Sequence, residues 1–528
     1  MNPRVVTEHL AGHPLALAAI AGTTPDGWYE PRPRDPDGWR KRLETVRADS
    51  PEEWLTALSP ALATSGRAAE RLSGVAEGRG VVITTGQQPG LFGGPLYTLS
   101  KALSALAFAD DLEESTGVPV APVFWAATDD ADFREASSTA IAVAGGAQRL
   151  RIDHAAPLGR SMADMPLGEI GPELEALARA AGSTIDARPL ELLKESYTQG
   201  ATIGSAYVAF LRALLEPLGI AVLDAAHSAT RNAALPALRR ALENAEEISG
   251  RISASDAAIE AAGYRPQVQD VAGLSLVFSS GAGERKRVPI KAARKKSADL
   301  ELGPNVLLRP VIERSILPTA AYVGGPAEIA YFAQIGSIAD VVAVPRPLIV
   351  PRWSCTIIEP HVERILQKLQ LQREELRDPH EAERRIARSR LPKPVIAELD
   401  STRAGVNERL DALRDAVDRE KGPVSPAVTG GLRANLMRRL DRFERRLLAA
   451  VKRQNAAVME EIGTARGSLY PFGTPQERAL NFVPFVARYG PGLVSDMLDE
   501  ARRHASDLTG SAKTARSSSA RQQLETTR

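Results

Sequence analysis

The chain holds a single cysteine, Cys355, in 528 residues. That excludes an internal disulfide framework, and Cys355 reads as a structural cysteine. The seven histidines are scattered without paired spacing, which argues against a zinc-type metal site. Charges of the two signs nearly cancel, at a net +1, so the overall charge points neither to nucleic acid nor to a membrane surface. No apolar run reaches the length of a membrane span, and the first residues carry no signal-peptide core, so the expected location is cytoplasmic.

What is present is an ordinary globular balance, with 44% hydrophobic and 25% charged residues in a chain long enough for two or three domains. The most informative stretch is 81–106. Val81-Val82-Ile83-Thr84 reads as a buried strand, and Leu99, Leu103 and Leu106 lie at helical spacing. Between them come Gly86, Gly90, Gly93, Gly94 and Pro95. A strand feeding a glycine-rich loop and a helix N-terminus is an anion-binding design, because free N–H groups and the helix dipole face the ligand. Gln87, Gln88, Tyr97, Thr98 and Lys101 add polar groups there. The pattern is neither the P-loop nor GxGxxG, and a plain tight turn in an α/β domain is the alternative. On the anion-binding reading, valine at Gly93 or Gly94 abolishes nucleotide binding and leaves the fold intact.

A second buried strand, 120–127, runs into Asp129, Asp130 and Asp132. Strand, helix and strand in this order imply a parallel pair, so the glycine loop and the acidic cluster share one sheet edge. Three carboxylates so close repel unless they meet a cation, an amine or hydroxyl donors; a solvated loop with capping duties is the alternative. Residues 219–224 form a further strand ending at Asp224. Segments 267–271, 274–278 and 287–290 suggest a small antiparallel unit with a basic turn at 284–287, and the run 291–296 reads as solvated surface. A second dense region, 306–352, carries Arg309 and Glu313, then a second strand–glycine–helix junction at Gly324-Gly325-Pro326 with Glu328. Val341–Val344 reads as another strand, followed by Arg346 and Arg352, whose forks suit carboxylate or phosphate.

The organisation expected is an α/β protein with a Rossmann-like parallel-sheet core and a long helical coiled coil. Residues 1–80 form an N-terminal helical region packing on the core, and 81–357 the core with inserted connecting segments. Residues 358–465 carry heptads: Val406, Leu410, Leu413 and Val417, then Leu436, Leu440, Phe443 and Leu447. Lys421-Gly422-Pro423 and Thr429-Gly430-Gly431 bracket a break, so two long helices fold back as an antiparallel hairpin. Its seam is satisfied within the hairpin or across a dimer. Residues 466–505 return to the core, and 506–528 read as a disordered polar tail.

Four blocks carry a family resemblance: TGQQPGLFGGPLYTLSK, PVFWAATDDADF, RPVIERSILPTAAYVGGPAEIAYFAQ and PQERALNFVPF. Together, and in this order, they resemble the bacillithiol biosynthesis cysteine-adding enzymes, the BshC family. The acidic block departs from that pattern, reading Asp129-Asp130-Ala131-Asp132 where a histidine is expected. The resemblance implies a Rossmann-like core related to class I synthetases, with a coiled coil that supports a homodimer. It implies ligation of cysteine to glucosaminyl-malate, the last step of bacillithiol synthesis, with ATP/ADP as nucleotide and Mg2+ as its companion. Joining a carboxylate to an amine needs activation, most simply through an adenylate. A phosphate cradle falls to the Gly86–Thr98 loop, supplemented by Gly324, Gly325 and Glu328, and positive charge to Lys101 or an arginine. Asp129, Asp130 or Asp132 would hold the attacking ammonium or a metal bound to the polyphosphate, and the sequence does not choose between these. Arg309, Arg346 or Arg352, with Glu313 beside the first, suit the malate carboxylates. Two other readings stand beside this one: a synthetase-like transfer enzyme on another substrate, and a nucleotide-binding coiled-coil scaffold.

Overall fold

The structure, a computed structural model, describes residues 2–153, 159–281, 284–293, 301–420 and 425–511. It divides into two compact units. The first takes the described residues of Met1–Ile141, Arg149–Ile357 and Glu477–Arg528; the second takes those of Ala142–Gln148 and Ile358–Gln476.

The first unit is built on a parallel sheet of five strands: β1 (Val81–Gln87), β2 (Val120–Ala126), β3 (Ala221–Asp224), β4 (Thr319–Gly324) and β5 (Ile349–Pro351). Helices α1 (Leu96–Thr116), α2 (Arg309–Ile316) and α3 (Pro326–Phe332) belong to this unit. Helices α4 (Lys393–Arg419) and α5 (Pro426–Gln454) belong to the second, and α6 (Val483–Thr509) returns to the first. Strands covered on both faces need apolar side chains throughout, which is why β1 and β2 read as continuous runs and not as alternation. Strand order is β5-β4-β1-β2-β3, and every neighbour pair is parallel. The chain moves outward from β1 to β2 and β3, then returns to β4 on the other side of β1. The switch point therefore lies between β1 and β4, and a ligand crevice is expected outside their carboxyl ends. Helix α1 connects β1 to β2 and is buried along most of its length, because α6 packs against it.

Three local expectations change. Val341–Val344 is not a strand: helix 335–342 covers its start, Ala343 ends that helix at φ 54°, and the edge strand comes at β5. A four-residue apolar run fits either state, and burial on one face decided for helix. Residues 267–271 form no strand; Leu274–Gly281 instead pairs antiparallel with Glu284–Pro289 and with Glu301–Pro304. Residues 506–511 are not a loose tail. Helix α6 runs to Thr509, and the hydroxyls of Ser506, Thr509 and Ser511 donate to the Asp111 carboxylate. Residues 294–296, 421–423 and 512–528 lie outside the described residues. No described helix is long and apolar enough to cross a membrane.

In the second unit, α4 and α5 run antiparallel, as their ion pairs show: Arg403 meets Asp441 and Glu444, while Asp411, further along α4, meets Arg433, earlier on α5. The hairpin covers its seam unevenly. Leu410 is buried, but Leu413 is 44% and Phe443 54% exposed.

Candidate active site

A cleft of about 620 Å³ opens at the carboxyl ends of β1 and β4, in the size range of small-molecule sites. Lys101, one turn into α1, stitches the switch point together. Its ammonium donates to the Gly86 carbonyl (2.9 Å), to Gln87 Oε1 (3.0 Å) and to Glu328 Oε2 (2.7 Å). Glu328 reaches this place because the Gly325 N–H (2.7 Å) and the Tyr322 hydroxyl (2.5 Å) also donate to its carboxylate. Burial pushes that carboxyl up, but Lys101 and these donors outweigh it and hold Glu328 below its ordinary value. Burial also draws Lys101 below the usual lysine range, with Glu328 opposing.

On α2, Arg309 pairs with Glu313 one turn later (2.8 Å) and donates to the Tyr331 hydroxyl (3.3 Å). Its guanidinium lies 4.7 Å over the Tyr322 ring. Glu313 is buried beneath Arg309, where it accepts the Thr84 hydroxyl, and it does not line the cleft. Arg352 does line it, held in a bidentate pair by Glu477 (2.6 and 2.8 Å). Arg346 does not: it pairs with Asp340 and donates to the Gly27 carbonyl.

The three aspartates each have their own donor, which answers the repulsion expected between them. Asp129 meets Arg285 at 3.2 Å; burial pushes its carboxyl up and Arg285 opposes. Asp130 accepts the Gln88 amide and the Asp132 N–H. Asp132 caps a short helix by accepting the Glu135 N–H, and only Asp129 and Asp130 line the cleft.

The glycine loop is divided. Gly86, Gln87, Gln88, Tyr97 and Lys101 face the cleft, as does Gly325 at the second junction; Gly90, Gly93, Gly94, Thr98 and Gly324 do not. The Gly93 and Gly94 N–H groups donate to Gly90 and Leu91 carbonyls, and that of Gly93 also faces the Tyr197 hydroxyl. The first N–H of α1, on Leu96, donates to Leu480, and Asn481 Nδ2 donates to the carbonyls of Leu91 (3.2 Å) and Phe92 (3.0 Å). Much of the donor set expected to cradle a phosphate is thus spent inside the protein. The loop aims residues 86–88 and positions α1.

Sequence reasoning missed Arg285, Tyr322, Tyr331, Arg478 and Glu477. Arg285 lay in the basic turn already noted, and Arg287, two residues on, shares its strand face. Tyr331 stands one helical turn after Glu328, a spacing that puts both on one face. Glu477 lies 125 residues from Arg352, and no local pattern announces that pair.

Sheet order, switch point and charged cleft define a Rossmann-like α/β protein with a small-molecule crevice between β1 and β4. The chain belongs to the BshC family of bacillithiol biosynthesis. The family's N-terminal Rossmann-like domain matches residues 24–353, and its C-terminal coiled-coil domain matches 355–508. A Koribacter versatilis protein named "Putative cysteine ligase BshC" is 30% identical over 501 residues, covering 91% of this chain and 90% of the relative. Namesakes from Solibacter usitatus and Salinibacter ruber are each 29% identical, covering 88% and 80% of this chain and 92% and 80% of their own lengths.

Proposed function

We propose that this chain is a ligase that joins cysteine to the amine of glucosaminyl-malate, the last step of bacillithiol synthesis, using ATP. Beyond family membership, the reading rests on one observation. The cleft is lined by six cationic side chains (Lys101, Arg285, Arg287, Arg309, Arg352 and Arg478) and three carboxylates (Asp129, Asp130 and Glu328). Lys101, Arg285, Arg287, Arg309 and Arg352 each already pair with a carboxylate. The cleft thus offers a polyphosphate or a malate group shared lysine and arginine donors and, among the described residues, one cation outside any ion pair, Arg478, while the carboxylates suit an amine. ATP, when bound, supplies the leaving group that activates the cysteine carboxylate. Asp130 accepts and orients the acceptor ammonium, and the arginines fix the anionic ends. Among the described residues no group of three or more His, Cys, Asp or Glu side chains forms a metal cage. A magnesium ion would enter with the polyphosphate, keeping several waters.

The purified chain, given all three substrates, should release the cysteinyl product, and no product sinks the reading. Arg478 isolates the charge requirement, because it is exposed and its side chain makes no ion pair among the described residues. Losing a charge-assisted contact costs about 1.5–3 kcal/mol, or one to two decades. Arg478→Ala should therefore lower kcat/KM by about 10- to 100-fold with no change in Tm. Unchanged kinetics would make Arg478 surface only.

The same proposal includes a homodimer through the second unit. Leu413, Leu432 and Phe443 are each at least 44% exposed, and Leu432 and Phe443 stand three turns apart on one face of α5. Leu440 and Leu447 are half-buried in the hairpin itself, so the exposed pair makes the cleaner test. Leu432→Glu with Phe443→Glu should yield monomers by light scattering at unchanged helix content. Dimers that persist would place the contact elsewhere.

A further inference from the structure

We propose that a small compartment beside the main cleft receives the side chain of the amino-acid substrate, which in the functional reading above, on which this inference rests, is cysteine. The compartment has a volume of about 50 Å³. It shares Trp125, Asp129, Arg285 and Pro304 with the cleft, so the Asp129–Arg285 ion pair stands at the boundary between the two.

An enzyme that activates a free amino acid must hold an α-ammonium, hold an α-carboxylate and find room for one side chain. The boundary supplies the first two. Asp129 and Arg285 are largely buried, and each neutralises the other at 3.2 Å. A zwitterion inserted between them replaces one ion pair by two: ammonium on Asp129, carboxylate on the Arg285 fork. Neither buried charge is then left unpaired, which is the condition for opening such a pair. With its carboxylate at Arg285, the amino acid presents its reacting group toward the main cleft.

The compartment supplies the third requirement. A water needs roughly 10–15 Å³ of such space, so the volume corresponds to about four water positions. That matches a side chain of two heavy atoms better than a long one. Its lining has an apolar part, from Trp125 on β2, Ala225 and Ala226 after β3, and Ala234 and Leu238 on the helix Ser228–Glu243, beside Asp164 and the Arg231–Glu301 ion pair. A thiol behaves as a small hydrophobe with weak donor and acceptor character, and the apolar part suits it.

Gly303 gives a direct handle. It lies on the strand Glu301–Pro304, where a Cβ would stand 3.5 Å from Arg285 Nη2 and 3.9 Å from Asp129 Oδ2. Those are ordinary contacts, so Gly303→Ala is accommodated, whereas Gly303→Val drives a methyl into the boundary. Ser280→Val narrows the compartment from the neighbouring strand and serves if Gly303→Val fails to fold.

The test measures KM for each substrate, cysteine binding by calorimetry, and Tm, on the full chain. Gly303→Val should raise the cysteine KM and Kd tenfold or more. Gly303→Ala should fall between it and the wild type, with the KM values for acceptor and ATP and the Tm unchanged. Methionine should give at least 100-fold lower kcat/KM than cysteine on the wild type. An unchanged cysteine KM in folded Gly303→Val or Ser280→Val, or ready use of methionine, overturns the assignment. If the wild type forms no cysteinyl product at all, the functional reading itself fails; a normal wild type with indifferent variants condemns the compartment alone.

Discussion

Lys101→Met should destabilise the first unit by about 3–5 kcal/mol, the range for orphaning one member of a buried ion pair. The side chains of Lys101 and Glu328 are 5% and 17% exposed, so water in the cleft replaces the missing partner only in part. Methionine fills the volume and removes the charge, leaving Glu328 facing the Tyr322 hydroxyl and the Gly325 N–H alone. Lys101→Met with Glu328→Gln should recover much of the loss, because the neutral amide oxygen can accept the Gly325 N–H while its NH2 donates to the Tyr322 hydroxyl oxygen. Denaturant unfolding of both singles and the double measures the coupling; a Lys101→Met midpoint equal to wild type would mean that the pair is solvated. The acid limb carries a second sign of the same pair. Glu328 lies below its ordinary 4.5 in the folded state, so its stabilisation is complete above that value. It disappears as the pH falls through the lower folded value, and Glu328→Gln should flatten that limb.

Gly93→Ala should cost about 2–5 kcal/mol, by summing two separate penalties. Gly93 sits at φ +85°, a backbone region that costs an L-residue about 1–2 kcal/mol. Its Cβ would also lie 2.7 Å from Phe210 Cε1 and 2.9 Å from Phe482 Cζ, an overpacking worth about 1–3 kcal/mol. The expectation that a bulky residue here separates ligand binding from folding is therefore corrected: the position is part of the core. Gly325→Ala makes the contrast, since its Cβ meets only the flexible arms of Arg352 and Glu328, at 3.4 and 3.5 Å. It should lower Tm far less than Gly93→Ala; equal losses would show that the Phe210–Phe482 contact does not limit the loop.

The sheet was legible because a strand buried on both faces must be apolar throughout, and β1, β2 and β4 satisfy that over consecutive residues. The two long helices were legible because a seam repeats. Elements set by burial on one face over four residues were not, and Val341–Val344 is the case in point. At the site, residues at or just after a strand end that was read, such as Gln87, Asp129 and Gly325, were placed on the cleft by topology alone. Arg352, by contrast, was named beyond Val341–Val344, a strand that does not form, and follows β5 instead. Asp132 and Arg346 lie just as close in sequence, yet local partners take their charges: a helix N-terminus for one, Asp340 for the other. Arg285 comes from a separate antiparallel sheet, and only tertiary packing brings it to Asp129.

Asn481 and Leu480 complete the loop at 91–96 from almost four hundred residues away, 389 positions in the case of Phe92. On the ribosome this has a temporal meaning. The strand, loop and helix that frame the cleft emerge early, while the groups that satisfy their buried carbonyls and cover α1 are still untranslated. Contacts of such separation form late, and exposed apolar surface in the interval invites aggregation. The nascent first unit is thus obliged to wait, its α1 face bare, until residues 358–476 of the second unit have been synthesised ahead of its third and last stretch.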